Sequence, residues 1–116
     1  MASNQLIPFQ TLDVYVVARD FAARVHALPL PDAELRDQAR RASESAFLNL
    51  AEGLPADAPG LRRRAFALAQ GSLCESAAAL DLTAALGLVR EAEAAALVGL
   101  AARLKAMLRA LTAGGR

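Results

Sequence analysis

Three breaks constrain the fold of this chain more than anything else in it. Pro29-Leu30-Pro31-Asp32, Pro55-Ala56-Asp57-Ala58-Pro59-Gly60 and Gly87 each interrupt sequence that otherwise reads as helix. Proline lacks an amide proton and clashes inside a helix, and glycine takes the left-handed conformation that ends one. The breaks leave four segments, about 11–28, 33–53, 61–86 and 90–111. Thr11 and Asp32 are placed to cap the first two, and Gly114-Gly115-Arg116 should fray at the end. Short connections make sequential helices antiparallel, so the spacing predicts an all-α, up-down-up-down four-helix bundle in one domain, residues 1–116.

Composition agrees. Hydrophobic residues make up 55% of the 116 residues but aromatics only 4%, and the apolar mass is mostly alanine and leucine. That excludes a disordered chain, which would be poor in apolar residues, and argues against a β-sandwich. No leader-like basic and apolar start is visible, and no apolar run is long enough to span a bilayer, so a soluble, cytoplasmic protein with no membrane partner is expected. The single cysteine, Cys74, allows no intrachain disulfide and reads as a half-buried small side chain.

Helical periodicity assigns the faces. In the first segment Val14, Ala18, Phe21, Val25 and Leu28 form a core seam, with Asp13, Asp20 and Arg24 on the wet side. In the fourth, Leu97, Ala101, Leu104, Leu108 and Leu111 do the same, backed by Ala95, Gly99, Ala102, Ala106 and Ala110. The third has two apolar faces. One is Phe66, Ala69, Leu73, Ala77, Leu80 and Ala84; the other is Leu61, Leu68, Ala79, Leu82 and Leu86, with Glu75 inside it. A carboxylate on a covered apolar face needs a partner. Arg41 is the expected one, across the second and third helices, by a charge-assisted pair.

The second segment is different. Its seam, Leu35, Ala39, Ala42, Ala46, Leu50 and Gly53, is made mostly of small residues. Beside it runs a polar stripe of Gln38, Arg41, Ser45, Asn49 and Glu52, at spacings of three, four, four and three. Asn49 is positioned to bond a backbone carbonyl or a side chain across the bundle. Phe47 and Leu48 point the other way, onto a charged face, which predicts a covered surface and an oligomer interface there.

The stripe belongs to a longer string, Gln38-x-Arg40-Arg41-Ala42-x-x-Ser45-x-x-x-Asn49-x-Ala51-Glu52-Gly53, followed later by Ala69-x-Gly71-Ser72-x-x-Glu75 and a closing Leu86-Gly87. With these motifs the chain resembles, from Phe9-x-x-Leu12 to its last leucines, the four-helix bundle family encoded in intervening sequences of 23S ribosomal RNA genes. Departures are Tyr15 where the family often has Trp, Leu50 where it often has Ile, and a Pro55–Gly60 loop in place of a basic one. The resemblance implies a ring of protomers, commonly a homopentamer. Related small bundles serve as accessory subunits of diversity-generating reverse transcriptases, so it also implies RNA or a nucleic-acid-processing protein as a partner.

Other chemistry is sparse. Net charge is +1, too small for a general nucleic-acid coat. Arg62, Arg63 and Arg64 open the third segment; with Arg40, Arg103 and Lys105 they are the candidate nucleic-acid contacts, though three successive helical residues diverge too far to serve one phosphate. With one Tyr, four Phe and no Trp, a base-stacking platform is not expected. His26 stands alone and reads as a packed or solvent-facing side chain. No phosphate loop, zinc spacing, di-iron ligand set or hydrolase elbow is present. The expectation is a non-enzymatic protein without a cofactor or metal, acting as a nucleic-acid-associated accessory or as a purely protein-binding scaffold.

Overall fold

The computed structural model describes residues 12–115, and all four expected helices are there: α1 (Asp13–Ala27), α2 (Ala33–Gly53), α3 (Pro59–Ala85) and α4 (Glu91–Gly115). The described residues contain no strand. Phe9 and Thr11, the start of the family-like pattern and the proposed first cap, lie outside the described residues. α3 begins two residues earlier than the sequence suggests because Pro59 sits in its first turn, where a missing amide proton costs nothing. α4 continues through Gly114 and Gly115 instead of fraying before them.

Each break has a physical cause. Asp32 caps α2, its Oδ1 accepting from the Leu35 amide at 2.9 Å. Gly87, at φ 74°, closes α3. Its amide bonds the Ala84 carbonyl and the Leu88 amide bonds that of Thr83, a Schellman closure that only a left-handed residue permits. The other two C-termini are completed by arginines from the following helix. Arg40 of α2 donates to the His26 carbonyl at 3.1 Å, and Arg36 to Leu30 at 3.3 Å. Arg62 of α3 donates to the Leu54 carbonyl, just beyond α2, at 2.8 Å, with its guanidinium 5.0 Å from the Phe66 ring. A cation at a helix C-terminus meets an orphan carbonyl and the negative end of the dipole together.

α1 and α3 each pack principally on α2 and α4, so they occupy opposite corners of the bundle. The core is continuous through all four helices. Phe21, Val25, Leu50, Phe66, Leu80, Leu104 and Leu108 are essentially inaccessible. Each such large side chain contributes roughly 1.5–3 kcal/mol by burial. The seams read from α1, α2 and α4 all face this core, with Leu35 and Leu111 at its edge. α3 departs from the reading. Its first face is buried or partly so, but of the second only Ala79 is buried, while Leu61, Leu68, Leu82 and Leu86 are exposed. The bundle has room for one face of α3 between α2 and α4.

Candidate interaction surface

The two halves of the motif meet along α2 and α3. Gln38 Nε2 donates to Glu75 Oε2 at 3.1 Å. The Ser45 and Ser72 hydroxyls share a hydrogen bond at 2.9 Å. Asn49 Nδ2 donates to the Ser45 carbonyl at 2.9 Å and to its Oγ at 3.1 Å, so the carbonyl it uses is one turn back on its own helix. Ser76, fully buried, donates across to the Ala39 carbonyl at 3.2 Å. Gly53 ends the line. A Cβ there would lie 2.7 Å from Phe66 Cε1 and 2.9 Å from the Ala65 Cβ, so only glycine lets the helices approach this closely. Small side chains permit the contact, and directional bonds fix its register.

Glu75 therefore differs from expectation. It is exposed, and its partner is Gln38, not Arg41. No hydrogen bond or ion pair joins Arg41 to it; Arg41 points outward, beside Leu82. Glu52 is likewise exposed at the outer edge of the stripe. Phe47 also departs. It is half-buried against Tyr15 of α1, ring centroids 5.1 Å apart, whereas Leu48 is exposed as expected. Cys74, expected half-buried, is exposed at the mouth of a small apolar hollow between α3 and α4. His26 is solvent-facing and meets Glu44 of α2 at 2.7 Å.

The arginines divide into two kinds. Arg40 and Arg62 are half-buried and engaged with the backbone carbonyls described above. Arg63, Arg64 and Arg103 are exposed, and Lys105 is half-buried. Arg103 lies on the groove between α1 and α4, and Lys105 on the hollow between α3 and α4. Those two therefore line different grooves of α4. Among the described residues no three His, Cys, Asp or Glu side chains cluster as metal ligands would. No helix there is long and apolar enough to cross a membrane.

What the surface does present is leucine. Leu48 is 63% exposed, Leu61 64%, Leu68 46% and Leu82 49%. On α3 these fall at seven-residue steps, Leu61, Leu68, Glu75 and Leu82, with Leu86 four further on. The intervening Ala65, Ser72 and Ala79 are buried against the bundle. The row leaves apolar side chains uncovered along the outside of α3, on either side of Glu75. Periodicity exposed the stripe, but its exposure was invisible without knowing which α3 face the bundle uses.

Fold and surface together define a small four-helix bundle with a row of exposed leucines along α3. The model of the 23S rRNA-intervening sequence protein family matches residues 10–110, and the chain belongs to that family. No curated protein matches it significantly.

Proposed function

We propose that this protein is a non-enzymatic, self-associating module: an antiparallel up-down-up-down bundle that assembles as a homo-oligomeric ring, a homopentamer by the family resemblance, in the cytoplasm. The observation that carries this reading is the exposed leucine stripe of α3 with Leu48 beside it. Uncovered leucines at heptad spacing favour a protein surface over water. The antiparallel arrangement draws support from the α2–α3 contacts, where residue numbers rise on one helix as they fall on the other, from Gln38–Glu75 to Gly53–Phe66.

RNA association is the second reading, and exposed Arg63 and Arg64 favour it. It is the weaker one here. Arg40 and Arg62 already serve helix ends, and Arg103 and Lys105 line different grooves. A protein-binding scaffold therefore accounts for more of the surface.

Sedimentation velocity tests both, using the protein alone and with a labelled structured RNA at low and moderate salt. We expect an oligomer that Leu68→Glu with Leu82→Glu converts to a smaller species while helix content by circular dichroism is kept. A monomeric wild-type protein would overturn self-association. RNA that sediments with the oligomer at low salt and dissociates at moderate salt would move the function to the nucleic-acid reading.

A further inference from the structure

The charge inside the leucine stripe says what covers it. Glu75 sits midway, with Leu68 and Leu82 each seven residues away. Gln38 holds its Oε2, and among the described residues no donor reaches Oε1. A helix lying along the stripe would bury this carboxylate, which is costly unless it brings a cation to the same level. Two copies of the stripe cannot do so. Paired parallel and in register, they oppose Glu75 to Glu75. Paired antiparallel with Leu61 against Leu82, they oppose Glu75 to Leu68. A different surface, apolar along a helix and with a cation within it, would meet that need.

The chain carries such a surface. At the start of α1 and along it, Leu12, just before the helix, and Val16, Arg19 and Ala23 within it follow one another at spacings of four, three and four, and all four are exposed. Leu12 and Val16 are among the largest uncovered apolar side chains of the molecule. Arg19 lies 6.0 Å over the Tyr15 ring, which orients its stem along the helix and leaves the guanidinium at the surface. α1 and α3 stand at opposite corners of the bundle; Val16, Arg19 and Ala23 line the open groove beside α4, whereas Leu82 lies beside Arg41 of α2.

We propose that the outward stripe of α1 in one copy covers the outward stripe of α3 in the next, with Arg19 paired to Glu75 across the contact. This rests on the self-association proposed above and supplies its geometry. The contact is heterologous: each copy uses one surface to give and another to receive. Such a contact propagates around a ring or along a filament and does not stop at a two-fold dimer. From residue 12 to 23, α1 spans about 16 Å, roughly half the length of the α3 stripe, at 1.5 Å per residue. Leu48 and the far end of the stripe stay at its margin.

Charge reversal tests it, with full-length protein and sedimentation velocity. Both residues are exposed, so the variants should keep wild-type helix content by circular dichroism. Arg19→Glu and Glu75→Arg should each convert the oligomer to monomer at concentrations where the wild type is assembled. The double variant, carrying both reversals in one chain, should regain the wild-type sedimentation coefficient, because every contact again pairs opposite charges. An oligomer indifferent to both single reversals would overturn this assignment and leave self-association standing. Dissociation by the singles without recovery in the double would also overturn the pairing. A monomeric wild type would overturn both proposals.

Discussion

The α2–α3 and α1–α4 contacts hold the same bundle by different means. Between α2 and α3 small residues bring the helices close, three of them with hydroxyls: Ala39, Ala42, Ser45, Gly53, Ser72 and Ser76. Between α1 and α4 they are large and apolar, Phe21 and Leu28 against Leu97 and Leu104, and the outer edge opens into a groove lined by Val16, Arg24, Leu100 and Arg103. Apolar packing is strong but weakly directional, since one leucine can replace another after a slip of a turn. Hydrogen bonds between particular side chains tolerate no such slip. The α2–α3 contact carries the directional bonds that set the register, whereas apolar side chains make the α1–α4 contact.

Mutations can break or sharpen that contrast. The largest effects should fall on both contacts alike. Phe21→Ala and Phe66→Ala should each cost about 3–5 kcal/mol in urea unfolding followed by circular dichroism, since each empties a fully buried site. Gly53→Ala should separate the two contacts. The added methyl meets the Phe66 ring and Ala65, and overpacking of about 1–3 kcal/mol outweighs the gain of about 1 kcal/mol in helix propensity. Gly99→Ala, with open space around its Cβ position, should stabilise by that propensity gain. Stabilisation by Gly53→Ala would mean the helices are not held close.

Smaller effects sharpen the register argument. Ser72→Ala should cost about 1 kcal/mol by leaving the Ser45 hydroxyl short of a partner. A double-mutant cycle between Ser45 and Ser72 should show positive coupling; additivity would mean the bond carries no register information. Glu75→Ala should change monomer unfolding by less than about 0.5 kcal/mol, because its side chain is exposed. A loss as large as that of Ser72→Ala would show that Gln38–Glu75 is a structural bond.

The breaks and seams were readable in the sequence because they depend on local chemistry. Proline at 29 and 59, Asp32 as a cap and Gly87 as a terminator act on their own few residues. The α1 seam is readable because Val14, Ala18, Phe21, Val25 and Leu28 recur at helical spacing with no charge among them, and all are buried. α3 is not, since two of its faces are apolar and periodicity does not say which one the bundle takes. Glu75 was misread for the same reason, and Arg41 was assigned to it because spacing gives a face but not a neighbour. Gln38, three residues earlier on the stripe, is the residue that lies within reach. In the sequence Arg40 and Arg62 read as candidate nucleic-acid contacts, whereas each bonds a carbonyl at the end of the preceding helix. Their signal was position: each follows a helix end closely enough to fold back onto it.

Those two arginines also bear on the order in which the chain organises itself. The end of α1 is completed by a residue 14 positions later, and the end of α2 by one 8 positions later. Each helix thus waits only for the start of its successor, and contacts of short sequence separation form early and fast. α1 and α4 are the exception, because their meeting closes nearly the whole length of the chain. Pulse-labelled hydrogen exchange during refolding should find α2 and α3 amides protected before those of α4. Simultaneous protection of all four helices would mean that the arginine ties join a structure already formed, and do not help to lead it.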